Sequence, residues 1–135
     1  MVGVDVNDPG RIELYLGNEA ISRGALEAGC GFVSAYPGTP SSEIVPTMAE
    51  IAKANNIYVE WSANEKVALE ASAGASFAGV RALCAMKQNG LNVASDFLAN
   101  LQMTGIEAGL VLLCADDPGP LSSSNEEDTR FFAKA

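Results

Sequence analysis

A chain of 135 residues that is 48% hydrophobic and 19% charged has the length and balance of one folded domain. Its net charge of -9, with eight Lys plus Arg, excludes a cationic nucleic-acid surface, and the lack of His excludes a Ser-His-Asp triad. Cys30, Cys84 and Cys114 are too scattered for a disulfide framework, a zinc site or an iron–sulfur cluster, and neither a cationic leader nor an apolar run of about 20 residues is present, so a cytoplasmic protein with buried thiols is expected.

Short apolar runs alternate with stretches of helical period, which predicts an α/β class with a parallel sheet and crossover helices. After a tail over residues 1–11, a domain over 12–135 opens on a short extended piece, Ile12 to Leu16. Asn18 then reads as the N-cap of a helix running to about Ala28 and ended by Gly29. Gly31 to Tyr36 is a buried strand stopped by Pro37 and Gly38, and Ser41 or Ser42 caps the next helix, with Glu43 in its first turn. That helix ends by Asn55-Asn56. Ile57 to Trp61 follows as a strand, Asn64 to about Phe77 as a helix and Ala82 to Met86 as a strand. Leu91 to Met103 is helical, Gly109 to Ala115 is a strand of mostly Leu and Val, and Asp116 to Ser124 is a loop. Ser124 or Asn125 caps a last helix that brings the chain to its end, so the domain is expected to be incomplete at its C-terminus.

Four loops follow the carboxyl ends of strands, where open α/β sheets bind ligands. Tyr36-Pro37-Gly38-Thr39-Pro40-Ser41-Ser42-Glu43 delivers a hydroxyl and helix N-terminal amides to one place, although two prolines and a glycine also suit a plain tight turn. Glu65, at the start of a helix, is favoured there by the dipole whether or not it has a further role. The Ala, Ser and Gly residues from Ala71 to Gly79 offer little bulk, so that helix must approach a ligand or a neighbouring subunit closely. In Met86-Lys87-Gln88-Asn89-Gly90-Leu91-Asn92, Gly90 lets backbone come near a ligand. The fourth loop, Asp116 to Asp128, is polar and acidic and reads equally as a solvated loop or a site wall.

In order, Gly17-Asn18-Glu19-Ala20-Ile21-Ser22-Arg23-Gly24, the Tyr36 to Glu43 string, Glu60-Trp61-Ser62-Ala63-Asn64-Glu65-Lys66-Val67-Ala68 and Asp116-Asp117-Pro118-Gly119 resemble the pyrimidine-binding domain of thiamine diphosphate enzymes. The likeness runs from about Leu16 to the end and is to the indolepyruvate branch of the 2-oxoacid:ferredoxin oxidoreductases. It implies a doubly wound parallel sheet and oxidative decarboxylation of indolepyruvate or other aryl pyruvates to the acyl-CoA, with electrons passed to ferredoxin. Pyruvate or 2-oxoglutarate as substrate, or a binding and assembly module without catalysis, are the alternatives.

The resemblance makes Glu65 the catalytic carboxylate, sharing a proton with N1' of the aminopyrimidine and so promoting loss of the C2 proton of the thiazolium. Asn64, Met86, Lys87, Gly90 and Asn92 join Glu65 as cofactor-binding residues, and Tyr36, Pro37 and Thr39 take the substrate, with Thr39 donating to its carboxyl or keto oxygen. No metal ligand is implied in this chain. Magnesium and the diphosphate belong to another domain with a Gly-Asp-Gly type motif, and iron–sulfur clusters and coenzyme A to the complete enzyme. The implied partners are those domains, a second (beta) subunit, ferredoxin, and a second copy in a dimer or higher oligomer, across a surface formed by Ala71 to Gly79, Trp61, Met86, Phe131 and Phe132.

Overall fold

The computed structural model describes residues 3–134; Met1 and Val2 of the predicted tail and Ala135 of the predicted last helix lie outside the described residues. Among these, the chain forms α1 (Gly17–Glu27), β1 (Phe32–Ala35), α2 (Ile44–Asn55), β2 (Tyr58–Trp61), α3 (Glu65–Phe77), β3 (Ala82–Lys87), α4 (Gln88–Thr104) and β4 (Leu110–Ala115), followed by a short 3-10 helix, Thr129–Lys134. The four strands are parallel, in the order β2-β1-β3-β4. The predicted doubly wound sheet is therefore the observed one.

Alternation along the strands divides the core into two layers. Val33 and Ala35 of β1 with Leu83 and Ala85 of β3 meet Ile44, Val45, Met48 and Ile51 of α2, against which α1 also packs. Cys84 and Met86 of β3 point the other way, onto Ala68, Leu69 and Ala73 of α3 and Leu91 and Ala94 of α4. Ser34 of β1 also faces α3, where its hydroxyl donates to the Ala68 carbonyl and lies 2.9 Å from the Ser72 hydroxyl. A buried hydroxyl pair of this kind is tolerated because each oxygen has a partner. The small residues of α3 are thus used first inside the domain: Ser72, Ala73 and Ser76 are buried, while Gly74, Ala78 and Gly79 face solvent and Ala71 and Ala75 lie between.

Several local expectations are corrected. Ile12 to Leu16 forms no strand, and the tail before it is not idle, because Arg23 of α1 donates to the carbonyls of Val4 and Val6 and Val4 is buried in the core. Leu16, not Asn18, is the N-cap of α1, and Glu19 accepts from the Leu16 amide at 2.8 Å. Glu43 precedes α2 without a capping side chain; Ser41 donates to the Gly38 carbonyl and Ser42 accepts from the Gly38 amide, so both serve the turn instead. β3 passes into α4 with no intervening loop, which puts Gly90 in the first helical turn. The last helix starts at Thr129, not near Asn125, because Asp116 accepts hydrogen bonds from the Thr129 amide and hydroxyl. Met86 is fully buried and belongs to no open surface, whereas Trp61, Phe131 and Phe132 are 44%, 70% and 45% exposed. No helix among the described residues is long and apolar enough to cross a membrane.

All three cysteines are unpaired, and burial raises each thiol's pKa, that of Cys84 to about 12 and that of Cys114 to about 11. A raised pKa leaves little thiolate at neutral pH. Alkylation by iodoacetamide at about pH 8 is therefore expected to run at least about tenfold slower in the folded chain than after denaturation, read by mass spectrometry. Modification of Cys84 at the denatured rate would contradict this packing.

Candidate active site

The strand order places a switch point between β1 and β3, because the chain leaves β1 toward α2 on one face and leaves β3 toward α4 on the other. The Tyr36 to Glu43 turn, the Asn64-Glu65 start of α3 and the Lys87 to Asn92 start of α4 follow the carboxyl ends of β1, β2 and β3. The loop after β4 reaches the same edge through contacts with the first and third of these.

Asn64 is the N-cap of α3, and its side-chain oxygen accepts from the Val67 amide at 3.0 Å. This cap fixes Glu65 as the first helical residue, half-buried. The Glu65 side chain lies against Gly90 of α4: a Cβ there would stand 2.5 Å from Glu65 Cγ and 2.7 Å from Oε1. Any side chain at position 90 would displace the carboxyl group from this seat. Among the described residues Glu65 makes no side-chain hydrogen bond and no ion pair, since its neighbour Lys66 is paired with Asp96. A half-buried carboxylate at two helix starts, free of a partner, fits a ligand that presents a protonated ring nitrogen.

The Tyr36 to Glu43 turn is held from two sides. Asn18 of α1 donates to the Pro40 carbonyl at 2.8 Å and to Glu43 at 2.6 Å. The Ser122 hydroxyl comes within 3.4 Å of the Thr39 carbonyl oxygen. The Thr39-Pro40 peptide is cis, Tyr36, Pro37 and Thr39 are exposed, and among the described residues the Thr39 hydroxyl has no hydrogen-bond partner. Asp117, whose pKa is lowered by hydrogen bonds from the Ser122 amide and hydroxyl, anchors the loop that approaches Thr39.

The start of α4 is less open than its residues suggest. Gln88, fully buried, donates to the Asn125 carbonyl; Asn89 donates to the Asn125 side chain at 2.7 Å, and Asn92 to Glu127 at 2.7 Å. Among the described residues, Gln88 Oε1, Asn89 Oδ1 and Glu127 Oε2 are buried without a partner, so this seam is only partly satisfied. Of the residues expected at the cofactor, Glu65, Asn64 and Gly90 come together; Met86 lies in the core beneath, Asn92 turns to the β4 loop and Lys87 to the β1 loop. The roles of Gln88, Asn125 and Asn18 in joining these segments were not read from the sequence, where the polar Gln88-Asn89 pair directly after an apolar strand was the available clue.

Residues 23–120 match the family described as pyruvate flavodoxin/ferredoxin oxidoreductase, thiamine diphosphate-binding. The chain is 56% identical over 126 residues to the indolepyruvate oxidoreductase subunit IorA of Pyrococcus horikoshii, covering 93% of this chain and 19% of that protein. It is 52% identical over 132 residues to IorA of Methanothermobacter marburgensis, covering 96% of this chain and 21% of that one. Identity to the 2-oxoglutarate synthase subunit KorA of Archaeoglobus fulgidus is 36% over 110 residues, covering 81% of this chain and 31% of that one. Among solved structures, the 2-oxoglutarate:ferredoxin oxidoreductase of Magnetococcus marinus, with 2-oxoglutarate, coenzyme A and succinyl-CoA bound, superposes with a TM-score of 0.75 at 26% identity, over 94% of this chain and 24% of that one. The chain thus spans about a fifth of the length of the IorA relatives.

The Glu65 seat predicts its own test. In Gly90→Ala the new methyl group must push the carboxylate aside; the domain is expected to stay folded by circular dichroism while ligand-dependent function at Glu65 falls by about tenfold or more. A fully active Gly90→Ala protein would mean that the contact is incidental.

Proposed function

As the chain belongs to the thiamine diphosphate-binding family of the pyruvate flavodoxin/ferredoxin oxidoreductases, we propose that it is the pyrimidine-binding half of the active site of an indolepyruvate-type 2-oxoacid:ferredoxin oxidoreductase. The observation that carries this reading is the Glu65 carboxylate, held by the Asn64 cap, seated over Gly90 and left without a partner. Thiamine diphosphate, when bound, supplies a carbon nucleophile for the keto group and an electron sink for decarboxylation. Glu65 would hold a proton at N1' of its aminopyrimidine, a task for a carboxylate, because the amide of Gln is neither an acid nor a base near neutral pH. Asn64 keeps Glu65 in place through the helix cap, Gly90 leaves space for it, and the free Thr39 hydroxyl would donate to the 2-oxoacid.

Preference for an aryl 2-oxoacid is supported by the identity of 52–56% to IorA subunits against 36% to a KorA subunit. Pyruvate or 2-oxoglutarate remains the second reading, supported by the fold of the 2-oxoglutarate enzyme. A non-catalytic module is disfavoured, because such a module has no need of an unpaired carboxylate at the switch point. We place this domain in a longer subunit, consistent with its span of about a fifth of the IorA relatives, with the magnesium–diphosphate domain, iron–sulfur clusters, a beta subunit and ferredoxin as partners in the cytoplasm. Trp61, 44% exposed at the end of β2 and four residues from Glu65, offers apolar surface that a partner domain or second copy would cover.

In the complete enzyme, Glu65→Gln is expected to lower turnover by at least about 100-fold with the fold retained. Near wild-type turnover of that variant with cofactor bound would remove Glu65 from the mechanism. The isolated chain, which holds the pyrimidine side alone, is expected to bind thiamine diphosphate with a Kd no tighter than about 1 µM by titration calorimetry. Tighter binding would show that the diphosphate is held here too.

A further inference from the structure

Three cations, Lys66, Lys87 and Arg130, lie in or after strands β2, β3 and β4 in chain order, and two of them are paired. Lys66 is paired with Asp96, and Arg130 with Asp128. Lys87, at the end of β3, has no carboxylate partner among the described residues, and its ammonium meets only the Ser123 hydroxyl, at 3.4 Å. Among the described residues, Lys87 is thus the one of these three cations left without an anion, in a chain of net charge -9. A bound carboxylate would supply the ionic partner that it lacks.

Its direction says which ligand it serves. Strand alternation puts Lys87 on the same side as Leu83 and Ala85, toward α1 and α2, whereas Glu65 and Gly90 meet on the side of α3 and α4. The Lys87 stem packs onto Gly38, where a Cβ would stand 2.9 Å from Cγ, and so lies beside the turn that carries Thr39. Ser122 and Ser123 close the same place from the β4 loop, one toward the Thr39 carbonyl and the other toward Lys87. The Lys87 ammonium and the Thr39 hydroxyl, which is unpaired among the described residues, belong to this same corner, where the Ser122 hydroxyl is held by Asp117, and they lie off the seat of the aminopyrimidine.

We propose that Lys87 binds the carboxylate of the 2-oxoacid substrate beside Thr39, and does not line the aminopyrimidine pocket. This rests on the functional reading above. The carboxylate is the group lost in the reaction, so a cation that holds it stabilises the bound ground state. Removing that cation weakens substrate binding more than it slows turnover.

The test uses the complete oxidoreductase carrying Lys87→Met, which keeps the stem on Gly38, together with Lys87→Arg and, as a charge control remote from the site, Lys53→Met. KM and kcat are measured for indolepyruvate, the Kd for the matching arylacetate by calorimetry, and the Kd for thiamine diphosphate by Trp fluorescence. Lys87→Met is expected to raise KM and the arylacetate Kd by about 10- to 100-fold, with kcat and the cofactor Kd within about threefold of wild type. Lys87→Arg is expected to recover most of the loss, and Lys53→Met to change nothing. An unchanged KM, a cofactor affinity that falls in parallel, or a failure of both Lys87 variants to fold overturns the proposal. A wild-type complex that turns over no 2-oxoacid overturns the functional reading and this proposal together, whereas active wild type with an unaffected Lys87→Met overturns this proposal alone.

Discussion

The contact between the Glu65 side chain and Gly90 is the point on which the site depends. It joins the first residue of α3 to the first turn of α4, so two helix starts from separate crossovers meet at one carboxylate. The contact exists only because α3 and α4 share a face of the sheet and pack directly against each other. The small side chains of α3 make that approach possible: Ala68, Ser72 and Ala73 let the helix settle close to β1 and β3, where Ser34 ties it through the Ala68 carbonyl. A bulkier α3 would stand off the sheet and carry Glu65 away from Gly90.

The two faces divide the work. On the α3 and α4 side, the Glu65 carboxylate forms no ion pair among the described residues, with Lys66 drawn off to Asp96. On the α1 and α2 side, Asn18, Gly38 and the serines of the β4 loop hold the Thr39 turn and the Lys87 stem. An acid and a base set in one open cleft would pair and neutralise each other; placing them on opposite sides of the switch point keeps both available.

The seam between α4 and residues 125–127 contributes differently. Its amide and carboxylate groups satisfy one another only in part, and three buried oxygens are left without donors. Unsatisfied groups in a buried seam weaken it relative to an apolar one. The β4 loop is consequently held mostly by polar contacts, anchored at Asp116 and Asp117, while the sheet beneath it is held by Val, Leu, Met and Cys packing.

What was legible in the sequence was whatever depends on local order. Short continuous apolar runs and helical stretches between them sufficed for four parallel strands and their helices, and Asn64 before Glu65 could be read as a cap because capping involves only residues three apart. The string from Tyr36 to Glu43 likewise announced a turn at a strand end. Tertiary structure alone decided what those residues touch. Asn18 looked like a cap and instead spans to Pro40 and Glu43, Met86 sat in a candidate site string yet points into the core, and Lys87 lays its stem on Gly38 of the Thr39 turn. In each case the deciding partner lies 22 or more residues away, or the face is set by strand register, and neither distance nor register is written in a local pattern.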